Sequence, residues 1–342
     1  MRTVWKRIRA KYISLLYGYG LYEYEAYKRT CQLLNSRNRK KLKKYMKLGR
    51  LKEELQLIEN LHAEVYYLIR RDYSKIGLFS IVNTTIAHIA YAKKMGYIPV
   101  VDMQNYENAY LEKRLLGKEN AWNYYFATNQ KKLDEIYRAD NIVLSNMDIP
   151  KNRPNDTMAF FNDVDGQREY WHSLALESIP LCEEIIDYAK KQWTSRKSNE
   201  DRVLGVLARG TDYYALKPSG HPVQPEIDQL KKDIECKLAE WNCNKIFLAT
   251  EDPVILRELQ AYFGAKLFTQ NQEYVNYQGG ATCDTEIKRN HDARIRGQEY
   301  VTNLLMLTWC NCIIAGRTSG SVGAALMKGK WEQELFYDLG TY

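Results

Sequence analysis

Short apolar runs that stop abruptly at polar clusters recur along the second half of the chain. Val203–Ala208 is followed by Arg209-Gly210-Thr211-Asp212, Lys245–Ala249 by Thr250-Glu251-Asp252-Pro253, and Cys312–Gly316 by Arg317-Thr318-Ser319-Gly320-Ser321. Such runs predict buried parallel strands that deliver polar residues at their C-terminal ends. The stretches between them, Pro225–Glu240, Val254–Phe263, about Gly297–Thr308 and the segment from Val322, carry helical periodicity. Strands alternating with helices predict an α/β fold around a parallel sheet, in which ligands bind beyond the carboxyl ends of the strands. Three polar loops would then meet at one sheet edge.

The first half carries the same texture less regularly. Ile76–Val82 reads as a strand, Asn83-Thr84-Thr85 as a turn and helix cap, Ile86–Met95 as a helix stopped by Gly96, and Ile98–Asp102 as the next strand. That is one βαβ unit, the building block of a doubly wound sheet. Its turn has neither the G-x-G-x-x-G nor the G-x-x-x-x-G-K pattern, so neither type of phosphate loop is present there. Aromatic residues crowd Asn120–Phe126, where core packing is the default and stacking on sugars the alternative. Then come a helix (Leu133–Tyr137), a strand (Ile142–Leu144), a loop over 147–166 and helical periodicity from Trp171 to Trp193. Thr194–Glu200 reads as a linker. The divisions predict a helical extension at 1–72, one Rossmann-like domain at 73–195 and another at 196–342.

Charge sets the first segment apart. Residues 1–52 hold sixteen Lys and Arg against Glu23 and Glu25, a balance of +14 in a chain whose net charge is +8, so the remainder carries −6. The extension has good helix formers, no proline, and aromatics such as Trp5 and Tyr12 among its cations. That combination suits an anionic membrane surface or a partner. A solvated helical hairpin packed on the body is the plainer reading. Nucleic acid fits poorly, because the α/β body is acidic. Seven cysteines without a C-x-x-C pair, and five scattered histidines, point to reduced thiols and to no structural metal site. No stretch has the ~18 uninterrupted apolar residues of a membrane span, and the start lacks the apolar run of a secretory signal. A cytoplasmic protein, peripheral at the inner face of the plasma membrane, is the expectation.

The polar loops suggest chemistry. Arg209 offers a planar fork of donors suited to phosphate, and Gly210 lets the backbone approach a bulky group. Thr318, Ser319 and Ser321 before a helix read as a cap or as an anion site. Thr250, Glu251 and Asp252 read as a capped helix start or as acceptors for ribose and base donors. Together the three loops describe a pocket for a diphosphate-bearing ligand such as a nucleotide sugar. Asn83 and Asp102, at the ends of elements in the first half, are candidates for the acceptor side.

The order R-x-T-D (209–212), H-P (221–222), A-T-x-D-P (249–253) and a Ser/Thr-rich loop before the last helix resembles the fucosyltransferase superfamily that includes core α1,6-, nodulation and protein O-fucosyltransferases. Lys93–Asp102 and Asn120–Phe126 are similar to bacterial surface-polysaccharide members. The resemblance spans roughly 75–342 and implies a GT-B-like fold, two Rossmann-like domains facing a cleft, with a GDP-sugar held mainly by the second. It implies that Arg209 grips the donor's β-phosphate, that Asp212 and His221 belong to the same motif, and that Asp252 lies on the nucleoside side. Thr318, Ser319 and Ser321 match the phosphate-side hydroxyl loop, with Arg317 beside them. The chain departs from the pattern at Leu207, where the family often has His, at Lys217, where core enzymes place a glutamate, and at Asn303, where an Asp is usual.

The expected function is inverting, metal-independent transfer of a sugar, fucose first, from a GDP-sugar to a glycan or lipid-linked saccharide acceptor in bacterial surface-polysaccharide synthesis, with no cofactor. The base remains open between Asp212 and His221, with Asp102 a distant third. The alternative is an impaired nucleotide-sugar-binding or scaffold protein docked at the membrane.

Overall fold

The structure, a computed structural model, describes residues 55–58, 60, 62–71, 76–128, 132–145, 157–163, 166–274, 279 and 285–342. The basic segment 1–52 lies outside them. Two sheets organise the molecule. The first contains Leu55–Ile58 (β1), Tyr66–Ile69 (β2), Ile98–Val101 (β3) and Asn141–Leu144 (β4) in the order β1-β4-β2-β3. In it β2 runs parallel to both β3 and β4, and β1 is antiparallel to β4.

The second sheet contains Val203–Leu207 (β5), Lys245–Ala249 (β6), Leu267–Phe268 (β7), Cys312–Gly316 (β8) and Gln333–Tyr337 (β9) in the order β7-β6-β5-β8-β9, all parallel. β5 and β8 are buried along their whole length, and β6 at all but its first residue. Burial on both faces makes such strands read as unbroken apolar runs. The fold is α/β with two Rossmann-like sheets, as expected.

Helix Leu78–Lys94 (α1) connects β2 to β3. Leu133–Ile136 (α2) precedes β4, and Thr157–Asn162 (α3), Gln167–Ser178 (α4) and Glu183–Thr194 (α5) lie between the sheets in sequence. The second unit adds Thr211–Leu216 (α6), Ile227–Glu240 (α7), Pro253–Phe263 (α8), Asp292–Thr308 (α9) and Ser319–Lys328 (α10).

Three expectations are corrected. Ile76–Val82 is not a strand: Leu78 opens α1, and Asn83-Thr84-Thr85 lie inside it rather than capping it. Leu78, Phe79, Ile81, Val82, Ile86 and Ile89 are all buried, so the helix is apolar almost all round and its amphipathic signature is lost. The strand that precedes it is β2, within 1–72, a region expected to be helical but contributing β1 and β2 to the first sheet. The helix expected over Trp171–Trp193 breaks at Ile179-Pro180, where a proline cannot extend the ladder, giving α4 and α5.

The two units share one core. α10 packs on α1 and α4, and α9 packs on α5. Two aromatic side chains from the first unit seat against glycines of the second. A Cβ on Gly323 would overlap the Phe79 ring, and one on Gly297 would overlap the Tyr125 hydroxyl, which donates to Arg294 O at 3.1 Å. Gly323→Ala should therefore destabilise the protein by about 1–3 kcal/mol through overpacking. Scanning calorimetry would show this as a melting point lower by several degrees, and an unchanged one would mean that the ring does not seat there.

Candidate functional site

Because β6, β5 and β8 are adjacent and parallel, the loops that leave their carboxyl ends lie side by side. They form one wall of a cavity of about 440 Å³, a volume within the range of small-molecule sites. Arg209 and Thr211 line it from the β5 loop, Thr250 and Glu251 from the β6 loop, and Thr318, Ser319 and Gly320 from the first turn of α10. The opposite wall comes from the first unit, through Gly77, Phe79 and Ser80 at the start of α1 and Tyr110. Gln272, Arg296, Glu299, Tyr300 and Asn303 also line the cavity.

The β5 loop is held by Asp252. One oxygen of its carboxylate caps α8, accepting from Val254 N at 2.7 Å and Ile255 N at 3.3 Å, while the other accepts from Thr211 N at 2.7 Å. A side chain on Gly210 would collide with that carboxylate, so the close approach that glycine permits is to Asp252. Thr211 adopts φ +38°, a costly conformation for a β-branched residue. The tie from its amide to Asp252 holds it there. Of the two acids in the β6 loop, Glu251 faces the cavity and Asp252 does not. Thr211 Oγ1 donates to Glu251 Oε1 at 3.1 Å.

Arg209 sits between two neighbours. Its Nε is 3.4 Å from Glu251 Oε1, and its guanidinium lies 5.0 Å from the centre of the Tyr213 ring. His221 also lines the cavity, with Nδ1 3.5 Å from the Tyr213 hydroxyl. Asp212 belongs to α6, but its side chain lies outside the described residues.

The hydroxyl loop divides into two parts. Thr318 caps α10 and lines the cavity, whereas Ser321 is fully buried beneath it, donating to Gly316 O at 2.7 Å and accepting from Thr318 N at 2.8 Å. Arg317 does not reach the cavity. Its guanidinium binds Asp338 at 3.0 Å and Asn162 Oδ1 at 3.2 Å, a structural role set by the alternation of side chains at the strand end. Asn303 does line the site, donating to Gln272 Oε1 at 2.8 Å, and Gln272 in turn donates to Thr250 O at 2.8 Å.

Neither acceptor-side candidate lines the cavity. Asn83 lies one turn into α1 and donates from Nδ2 to Ser319 O at 3.0 Å, so it braces the hydroxyl loop from the other unit. Asp102 is fully buried in a network of its own, accepting from Gln104 N at 2.9 Å, Asn105 N at 3.0 Å and the Tyr137 hydroxyl, with Arg70 at 3.8 Å. Burial first, and then the Asp102 carboxylate, push the Tyr137 phenol far above its usual range, so it serves as a donor. These bonds satisfy Asp102 as a structural acid, not as the distant candidate base.

Sequence reasoning missed the start of α1, Tyr110, Tyr213, Gln272, Arg296, Glu299 and Tyr300. Tyr213 was within reach, since it follows the R-G-T-D cluster directly; the others come from segments that carry no motif. Among the described residues, no group of three or more His, Cys, Asp or Glu is placed to hold a metal ion.

No protein-family model matches the chain, and no curated protein does. Solved structures do. A crystal structure of NodZ alpha-1,6-fucosyltransferase soaked with GDP-fucose is 15% identical, with a TM-score of 0.50 over 81% of this chain and 96% of that one. The fold is fucosyltransferase-like. Fucosyltransferase NodZ from Bradyrhizobium (13% identity, TM-score 0.46, 77% of this chain and 92% of that one) and POFUT1 in its apo form (10%, 0.48, 82% and 99%) are also similar.

The two acids of the β6 loop should separate in experiment. Asp252→Ala removes a helix cap and the acceptor of the Thr211 amide, and is expected to cost about 1–2 kcal/mol of stability in urea unfolding. Glu251→Gln should leave the unfolding midpoint within about 0.5 kcal/mol of wild type. A reversed order would refute the division of labour between them.

Proposed function

We propose that this protein is an inverting glycosyltransferase that moves a sugar, fucose first among the candidates, from a GDP-activated donor to a hydroxyl of a glycan or lipid-linked saccharide. Bacterial surface-polysaccharide synthesis is the setting that the sequence resemblance favours. The observation that carries the reading is that Arg209 lines the same cavity as the first turn of α10. A guanidinium and a helix N-terminus are complementary to a diphosphate, and both are fixed before any ligand arrives. A likeness of fold to a fucosyltransferase soaked with GDP-fucose is consistent with that ligand.

In the proposed reaction the acceptor oxygen attacks the anomeric carbon from the face opposite the phosphate. The bond from that carbon to the β-phosphate oxygen breaks, and GDP departs with the electron pair. Arg209 and the α10 turn stabilise the charge that develops on the leaving group. His221, which lines the cavity, is the described candidate for the base that takes the acceptor's proton. Gln272, Asn303 and Glu251 offer donors and acceptors suited to a nucleobase and ribose. Turnover without a metal is part of the proposal, with cationic side chains serving in its place.

A second reading, a nucleotide-sugar-binding protein without turnover, is favoured by Leu207, which lines the cavity at a position where the resembling family often has an imidazole. Release of GDP from GDP-fucose separates the two. For residues 1–52 we propose docking on an anionic membrane surface, since sixteen cations attract such a surface at about 1 kcal/mol per residue close to it. No helix among the described residues is long and apolar enough to cross a membrane.

A hundredfold excess of GDP over its Kd should stabilise the protein by about 2.7 kcal/mol, visible as a raised melting point that UDP, CMP and dTDP do not reproduce. Arg209→Ala should weaken GDP binding by roughly thirtyfold, the loss of about 2 kcal/mol of charge-assisted hydrogen bonding, without lowering the melting point of the free protein. Full affinity in that variant would remove the basis of the reading. Turnover should also survive EDTA, and a strict metal requirement would point to a different chemistry.

A further inference from the structure

One ring at the polar part of the cavity touches both the guanidinium and the imidazole there. Tyr213 stands in α6, two residues after the strained Thr211. On one side the Arg209 guanidinium lies 5.0 Å from its ring centre. On the other, the His221 imidazole packs edge to face at 5.7 Å and 72°, with Nδ1 3.5 Å from the phenol oxygen. All three side chains line the cavity.

Each contact does different work. A guanidinium over an aromatic face is attracted by the ring quadrupole, and that contact leaves its peripheral N–H donors available to an anion. Glu251, 3.4 Å from Nε, restrains the other side of the same group. The phenol oxygen, by contrast, addresses only one nitrogen of His221. An imidazole that donates from Nδ1 presents the lone pair of Nε2, the form needed to accept a proton. The main chain around His221 is itself pinned, with Gly220 N donating to Tyr342 O and Tyr342 N donating to His221 O, both at 3.0 Å. The imidazole therefore hangs from a fixed backbone, and the phenol restrains its rotation.

We infer that Tyr213 is a positioning residue that sets Arg209 and His221 relative to one another, so that the grip on the donor's phosphate and the orientation of the base depend on one ring. The inference rests on the proposed function. It also makes a distinction that the proposed function does not. The face of the ring serves binding and the hydroxyl serves turnover, so the two can be removed separately.

The test uses the full chain, with GDP binding measured by calorimetry and GDP release from GDP-fucose measured in steady state. Tyr213→Phe keeps the ring, so GDP affinity should stay within about twofold of wild type. Its kcat should fall roughly tenfold with KM little changed, as expected for loss of orientation alone. Tyr213→Leu removes both contacts and should in addition weaken GDP about fivefold. Melting points of the free variants check folding, and should Tyr213→Leu fail to fold, Tyr213→Phe decides. GDP affinity in Tyr213→Leu equal to wild type, or undiminished kcat in Tyr213→Phe, overturns the role of Tyr213 while leaving the proposed function standing. Wild-type protein that does not bind GDP overturns the proposed function and this inference with it. Wild-type protein that binds GDP but releases none from GDP-fucose removes the catalytic half of both, and the affinity of Tyr213→Leu then decides the rest.

Discussion

The carboxylate of Asp252 is the point on which the site depends. A helix start leaves amides unpaired, and Asp252 satisfies two of them at the beginning of α8. Its second oxygen reaches across to the neighbouring strand's loop and takes the amide of Thr211. Only a glycine at position 210 leaves room for that reach. One side chain thereby joins the loops after β5 and β6 and holds Thr211 at a positive φ that it would not adopt unaided. The direction in which Arg209 leaves β5 follows from this tie, and so does the placement of Tyr213 beneath it.

The sheet supplies the other half of the constraint. Parallel neighbours in the order β6-β5-β8 bring their loops together whatever those loops contain, so convergence is a property of topology. Their chemistry is local. Thr318 and Ser321 cap α10 reciprocally, which leaves one hydroxyl residue at the cavity and commits the other to the backbone beneath. A capping role and a ligand role are thus not alternatives within one loop. Thr318 combines the cap with a place at the cavity, beside Ser319, while Ser321 is given to the backbone alone.

This explains what could be read in advance. β5, β6 and β8 were legible because burial on both faces erases every polar position until the strand ends, and the polar residue that follows marks that end. Glu251 and Asp252 were both legible as candidates, but not which of them faces the cavity. That choice rests on a single helix cap and its second bond to another loop. Arg317 was misplaced for a related reason: its partners, Asp338 and Asn162, are distant in sequence. The start of α1 was hidden by its own burial. A helix wrapped on nearly every side by core carries no amphipathic stripe, and its first residues look like a strand.

Two units that meet only at a cleft would be the simplest arrangement for such a site, and the packing argues for a more entangled one. Phe79 seats against Gly323 inside α10, and Asn83, one turn further along α1, binds the carbonyl of Ser319 at the head of that same helix. Tyr300 of α9 meets Phe79 edge to face at 5.3 Å and lines the cavity beside it. The helix that carries the hydroxyl loop is therefore fixed as much by the first unit as by its own sheet. Tight packing transmits displacement, so a change on the buried face of α1 must move the hydroxyl loop of the second unit. Residues 79 and 83 lie in α1 of the first unit, yet in mechanical terms they belong with α10 of the second.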